Sequence, residues 1–280
     1  MSEKHSEGDL EPIQLEQRIN LIRNGKALGR RKFLKSVSLA GVGVAASSLL
    51  NGCLGSTSVN GQNITQSDVL NFALNLEYLE AEFYNRAVTR NFLDSSVLGG
   101  PSKAQGGGKV PFADPRVADI ATEINSDEIA HVKFLRRALG SVAVAEPPIN
   151  LSALGFGFAT DAEFLNLARA FEDTGVSAYA GAATVLTGDN LQTAAQILAT
   201  EAYHAGSIRL EVVQKAIVAF RTDSLDQVPA ENQFFVTDPN GLAIKRTPSQ
   251  VLAIVYANGS PGTSTGGFFP SGVNGNLHTV

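Results

Sequence analysis

Apolar positions recur at alternating steps of three and four along four long stretches of this chain, as in helices that turn one face to a core. The first stretch follows a helix start at Thr65–Asp68 and runs "VLNFALNLEYLEAEFYNRAV". Asp114-Pro115 offers a cap and then proline at the first helical position, which predicts a second helix to about Leu139. Thr160-x-x-Glu163 has the form of a capping box and opens a third, to about Leu186. After the turn "TGDN" a fourth runs from about Leu191 to Phe220. Thr247-Pro248-Ser249-Gln250 caps a short fifth helix, "QVLAIVYA", and the Gly-rich tail "GSPGTSTGGFFPSGVNG" reads as loop.

About twenty residues without helical period separate the second and third helices, a length that compact domains seldom leave structureless. A bundle whose second and third helices run parallel needs one such crossover. The pattern therefore predicts an all-α four-helix bundle with one long crossover, a short fifth helix and a Gly-rich C-terminal tail.

The stripe on the second helix holds Val117, Ala121, Ile124, Leu135 and Ala138, and the same stripe carries Glu128 and His131. The fourth helix does the same with Glu201 and His204. The chain repeats internally. At an offset of 95 the first and third helices share Leu-Asn, an alanine, Glu77/Glu172, Tyr84/Tyr179 and Ala87/Ala182. At an offset of 73 the second and fourth pair Ile124/Ile197, Glu128/Glu201, His131/His204 and Arg136/Arg209. Each helix pair thus supplies one glutamate and one Glu-x-x-His.

Four carboxylates and two imidazoles in one seam are costly without counter-ions. Each ion taken from water loses on the order of several kcal/mol even after relaxation, and like charges raise one another's pKa values. No basic residue occupies a matching seam position, whereas two divalent cations would balance four carboxylates. Oxygen and nitrogen ligands without thiolate suit iron first, with manganese or zinc as alternatives. Of the four histidines, only His131 and His204 lie in the helical body, both three residues after a glutamate.

This pattern resembles the ferritin-like di-metal carboxylate superfamily over about Thr65–Phe220. "LNFALNLEYLEAEFY" and the tail "TPSQVLAIVY…GGFFPSGVNG" are similar to the ferritin-like family that includes desiccation-related proteins. The resemblance implies that Glu128 and Glu201 bridge two metals, that Glu77 and Glu172 are each terminal on one, and that His131 and His204 cap one each. Glu80, one turn after Glu77, also faces the seam. Its repeat partner is Gly175, so symmetry does not support it, but an extra glutamate at that step resembles rubrerythrin, where it can swing onto a metal. Tyr84 and Tyr179 read either as hydrogen-bond donors to site carboxylates or as core aromatics. Glu82 and Glu123 read as solvated.

The N-terminus reads as something other than fold. "GRRKFLKS" places Arg30 and Arg31 before a 14-residue apolar run too short for a membrane span. It resembles a twin-arginine export signal, with Gly29 where Ser or Thr is usual. The single cysteine, Cys53, ends "LLNGC" and resembles a lipobox cysteine that is acylated after cleavage. Expected segments are thus a cleaved signal at 1–52, a tether at 53–64, the bundle at 65–221 and an extension at 222–280. The implied partners are the twin-arginine machinery and a small oxidant. The implied location is periplasmic or cell-surface, held to the membrane only by lipid.

Charge agrees with that reading. The net charge is −5, but residues 1–52 carry eight Lys/Arg against five Asp/Glu, leaving the remainder with 14 against 22. An acidic body argues against nucleic acid. "GTSTG" at 262–266 matches a serine-hydrolase elbow but lacks its strand–turn–helix context, and "GVGVAA" lies in the export segment. The expected function is a redox-active di-metal protein working on oxygen or peroxide in stress protection. The alternative is non-catalytic iron binding or a structural stress role.

Overall fold

The structure is a computed structural model that describes residues 58–59, 62–257 and 259–280. Arg30, Arg31 and Cys53, the export and lipidation residues, lie outside the described residues. Among the described residues the elements run β1 (Ser58–Val59), β2 (Gln62–Asn63), α1 (Gln66–Thr89), α2 (Ser95–Leu98), β3 (Ala104–Gln105), α3 (Pro115–Leu139), β4 (Ile149–Asn150), α4 (Asp161–Ala182), α5 (Gly188–Gln214) and α6 (Pro248–Val255). β1 and β2 pair antiparallel just before the bundle.

α1, α3, α4 and α5 are the predicted bundle. Helix direction follows from end contacts. The Asp161 carboxylate at the start of α4 accepts from Ala113 and Asp114 N–H at the start of α3, so α3 and α4 run parallel. Gln66 at the start of α1 accepts from Thr187 N–H before α5. Arg116 near the start of α3 reaches Glu211 near the end of α5, so that pair is antiparallel. The parallel middle pair is what makes the long crossover necessary. That crossover is ordered: β4 pairs in parallel with β3.

The helix ends are those the caps dictate. Thr65 and Asp68 form a full capping box, Asp114 caps α3 with Pro115 at its first position, and Thr247 and Gln250 form a second box on α6. At α4 only half of the expected box exists. Thr160 accepts from Glu163 N–H, but the Glu163 carboxylate turns back to Gly157 and Ala159 N–H in the crossover. α4 stops at Ala182, α5 starts at Gly188 and α5 ends at Gln214, short of Phe220. Ala216 has φ of 50°, a left-handed conformation that ends the helix.

α1 is buried without interruption from Val69 to Asn85, because chain covers its outer side. Asn71 donates to Val142 O and accepts from Val144 N–H, clamping the crossover. Asn75, one turn on, donates to Asn274 O and accepts from Asn274 N–H, clamping the tail. The Gly-rich tail is loop, as expected, yet it buries Phe268, Phe269, Val273 and Leu277. Its "GTSTG" segment lies against the chain end, Gly262 N–H to Val280 O. On α3 the seam residues Val117, Ala121, Ile124 and Leu135 are buried, but Ala138 is exposed and Leu139 takes the inward place. After five turns from Val117 an ideal 3.6-residue helix favours a step of four over three.

Candidate metal centre

The four long helices deliver their polar residues to one layer of the bundle. Glu77 comes from α1, Glu128 and His131 from α3, Glu172 from α4, and Glu201 and His204 from α5. All four carboxylates are fully buried and both imidazoles nearly so. On α3 and α5 the Glu-x-x-His spacing makes the two side chains neighbours on one helix face.

Their ligand atoms fall into two groups. Glu77, Glu128, His131 and Glu201 form one, and Glu128, Glu172, Glu201 and His204 the other. Within each group the ligand atoms all lie within 4.8 Å of one another. Glu128 and Glu201 belong to both groups, which is what bridging requires. His131 Nδ1 lies 3.2 Å from Glu77 Oε2, 3.4 Å from Glu128 Oε2 and 3.5 Å from Glu201 Oε1. His204 Nδ1 lies 3.0 Å from Glu128 Oε1 and 3.4 Å from Glu172 Oε2. Both rings turn the same nitrogen inward. Outward, His204 Nε2 is 3.2 Å from Asp127 Oδ2. In the neutral ring, a proton on Nε2 donated to Asp127 fixes the tautomer whose Nδ1 lone pair faces the carboxylates.

Each outer glutamate accepts a hydrogen bond from a tyrosine of the opposite helix. Tyr84 on α1 donates to Glu172 Oε1 at 2.5 Å, and Tyr179 on α4 donates to Glu77 Oε1. In sequence each tyrosine sits two turns from the glutamate of its own helix; in space the bonds cross between α1 and α4. Tyr84 is also wedged among Phe83 and Phe164, its ring centroid 5.1 and 5.7 Å from theirs. Both roles considered for it are therefore filled at once.

Protonation reports the crowding. Burial, then the charges of Glu128 and Glu172, push Glu201 well above the usual carboxylate range. Burial and the Glu77 charge push Glu128 up to about 7, against the pull of both histidines. Burial pushes Glu77 up, but the His131 charge and the hydrogen bonds from His131, Glu128 and Tyr179 together hold it low. Burial disfavours the charged form of His204, yet Glu172 and Glu128 overcome it and push the ring up to about 12. His131 is raised in the same way, by Glu77 first. Without other cations, protons must do the balancing.

Protons do not satisfy the geometry. Among the described residues, Glu128 Oε1, Glu172 Oε2, both oxygens of Glu201 and His204 Nδ1 are buried without a hydrogen-bond partner. Glu128 Oε1 and His204 Nδ1 are close but not aligned to bond each other. Buried polar atoms are ordinarily paired, and these five share one layer. Imidazole nitrogen and carboxylate oxygen without thiolate are the donor set of iron, manganese or zinc. The residues present fit a pair of such ions.

Residues 65–214, more than half of the chain, match the ferritin-like domain. The chain belongs to the ferritin-like family. A curated relative, the ferritin-like catalase Nec2 of Nesocodon mauritianus, is 24% identical over 308 aligned residues, covering 88% of this chain and 97% of the relative. This ferritin-like bundle thus carries a buried Glu/His cluster that fits a di-metal site.

Three further carboxylates complete the picture, of which sequence placed only Glu80 at the seam. Glu80 is buried beside Glu201 but belongs to neither ligand group. Burial, then Glu201, Glu128, Glu172 and Glu77, push it well above the carboxylate range. Asp127 carries no sequence signal: its repeat partner is Thr200, so the symmetry that marks the other residues is silent here. Glu82 is fully buried, not solvated; it accepts from Leu93 N–H at 3.0 Å and Ser102 Oγ at 2.6 Å. The loop after α1 folds back over that face, which helical period cannot foresee. Glu123 is exposed.

Proposed function

We propose that this chain is an exported oxidoreductase that holds two iron ions in the Glu/His layer and decomposes hydrogen peroxide to dioxygen and water. Manganese is the alternative metal. The observation that carries the proposal is the pair of four-ligand groups sharing Glu128 and Glu201, with five unpartnered donor atoms between them. Similarity to a ferritin-like catalase favours peroxide over oxygen as oxidant. When bound, iron or manganese would supply the reversible electron transfer that peroxide decomposition requires, which zinc would not.

The protein's share is binding, orientation and dryness. Glu128 and Glu201 would serve both positions, while Glu77 with His131 and Glu172 with His204 would complete one each. Tyr84 and Tyr179 hold the outer glutamates, and Asp127 holds His204. Phe83 and Phe164 pack against Tyr84, and all three are fully buried.

Anaerobic loading with Fe(II) or Mn(II), followed by metal analysis and an oxygen electrode, tests this reading. Two metals per chain and sustained oxygen release from peroxide are expected. Trace metal after loading overturns the site, and two metals without oxygen release would assign the chain to metal binding alone. Export rests on Arg30-Arg31 and the lipobox-like ending at Cys53. Arg30→Lys with Arg31→Lys should trap precursor in the cytoplasm, and mass spectrometry of exported protein should find a lipid-modified Cys53 at its N-terminus. Intact residues 1–52 on exported protein would rule out cleavage.

A further inference from the structure

The internal repeat breaks at one position inside the site. Glu80 on α1 corresponds to Gly175 on α4, and these two helices pack against each other. A Cβ built on Gly175 would lie 2.5 Å from Glu201 Oε2 and 3.1 Å from Glu80 Oε1. The first distance is far inside carbon–oxygen contact. Glu201 Oε2 is the end of a flexible side chain, but Glu201 is fully buried, so its carboxylate can give way only by turning within the layer, out of the place that ligation needs. Glycine in a helix interior is also unfavourable relative to alanine. Nothing in the backbone offsets that cost, since Gly175 lies within α4 and is not among the residues of positive φ. The reason for glycine is the space above it.

We infer that Gly175 is a positioning residue: its missing side chain lets Glu201 span both metal positions and gives Glu80 the room that the second half of the repeat leaves free. The inference rests on the di-metal reading above. Between α1 and α4 there is space for one side chain at this level, and Glu80 takes it. The consequence is chemical. Each half offers the same three ligands, but only the first brings a further carboxylate, the fifth at this level, so the ligand layer is symmetric and its surroundings are not. The site would thus be tuned by a pair of positions, one filled and one empty.

The test uses full-length chain titrated with Co(II), whose visible spectrum reports coordination number, with denaturant unfolding of the metal-free protein alongside. Wild type should bind two Co(II); if it does not, the di-metal reading fails and the inference falls with it, separately from any variant. Given two in wild type, Gly175→Ala should weaken Co(II) binding tenfold or more and change the spectrum, while metal-free stability holds or rises with alanine's helix preference. Unchanged Co(II) affinity overturns the inference. So does a parallel loss of metal-free stability, because the Cβ would then act on packing and not through Glu201. The second variant exchanges the pair, Glu80→Gly with Gly175→Glu. If the two positions are equivalent alternatives, it should bind two Co(II) where Gly175→Glu alone binds at most one. An exchange variant no better than that single variant also overturns the inference.

Discussion

The two halves of the bundle present the same face to the site and different faces to the rest of the chain. In the first half Arg136 on α3 donates to the Tyr78 hydroxyl on α1 at 2.6 Å; in the second, Arg209 on α5 donates to Asp173 on α4 at 2.7 Å. Those two arginines match in the repeat, and so do Tyr78 and Asp173. The contact persists while its chemistry changes. Around Arg209 the second half builds a buried ionic network: Arg169 pairs with Asp226 at 2.7 Å, and Arg246 pairs with Asp223 at 2.7 Å. That network fastens the segment after α5 to the bundle. The first half instead buries two carboxyl groups, Glu82 and Glu146, under the loop after α1 and the crossover. Inward residues are constrained because both halves build one layer. Outward residues answer to whatever chain lies over them, and the two halves are covered by different segments.

The largest expected effect tests the inward symmetry. Glu128→Ala and Glu201→Ala each remove a residue common to both ligand groups. Each variant should fall from two metals per chain to fewer than one, and to the same degree, by metal analysis after equal loading. A variant that keeps one tightly held ion would show that its residue serves a single position.

The next effect belongs to the acidic cover of the first half. Burial pushes Glu146 up to about 8, with Glu82 beside it adding to the shift and Lys103 N–H opposing it. Tyr78 faces the same cluster, backed by Arg136. A carboxyl raised from 4.5 in the folded state favours folding below that value and loses its contribution as pH rises through about 8. Denaturant unfolding should therefore show stability falling between about pH 5 and pH 8, by on the order of 1–3 kcal/mol. Glu146→Gln should remove that share of the slope and leave the part that other raised carboxyls such as Glu128 supply. An unchanged slope would locate its source elsewhere.

Asp127 sharpens the asymmetry at the metal layer itself. It holds His204, whereas the matching Thr200 on α5 bonds back to Gln196 O in its own helix. Asp127→Asn should weaken metal binding at the position His204 serves by about 10–100-fold, the usual scale for a group that orients a metal-binding histidine. Thr200→Ala should leave both positions unchanged. Competition titration with a chelator of known affinity resolves the two.

How much of this was legible follows from the same division. Helix period, caps and the doubled Glu-x-x-His outline the bundle and bring Glu77, Glu128, His131, Glu172, Glu201 and His204 together, because inward positions obey a period and a repeat. Asp127, the burial of Glu82 and the space above Gly175 obey neither. Asp127 acts across to another helix, Glu82 is buried by a loop with no period, and the role of Gly175 is an absence that appears only when a side chain is placed there. The failed half of the α4 capping box has the same cause: Glu163 found partners in the crossover, which local spacing does not register.

The smallest expected effect asks whether the symmetry of the ligand layer extends to the groups that hold it. Tyr84 and Tyr179 occupy matching places and bond Glu172 and Glu77 across the α1–α4 interface. Phenylalanine keeps the ring and removes one donor from a buried carboxylate. Hydrogen bonds to charged groups contribute about 1.5–3 kcal/mol, and neutral ones about 0.5–1.5 kcal/mol. Each tyrosine-to-phenylalanine variant should lose about 1–2 kcal/mol of metal-free stability in denaturant. Each should also weaken mainly the metal position of the glutamate it released: the Glu172 position for Tyr84→Phe and the Glu77 position for Tyr179→Phe. The aromatic packing of Tyr84 against Phe83 and Phe164 survives the change, so lost packing does not inflate its value. If the two variants differ by more than about threefold in metal affinity, or roughly 0.6 kcal/mol, the asymmetry begun at Glu80 and Gly175 reaches the outer ligands. Equal losses would confine it to the space between α1 and α4.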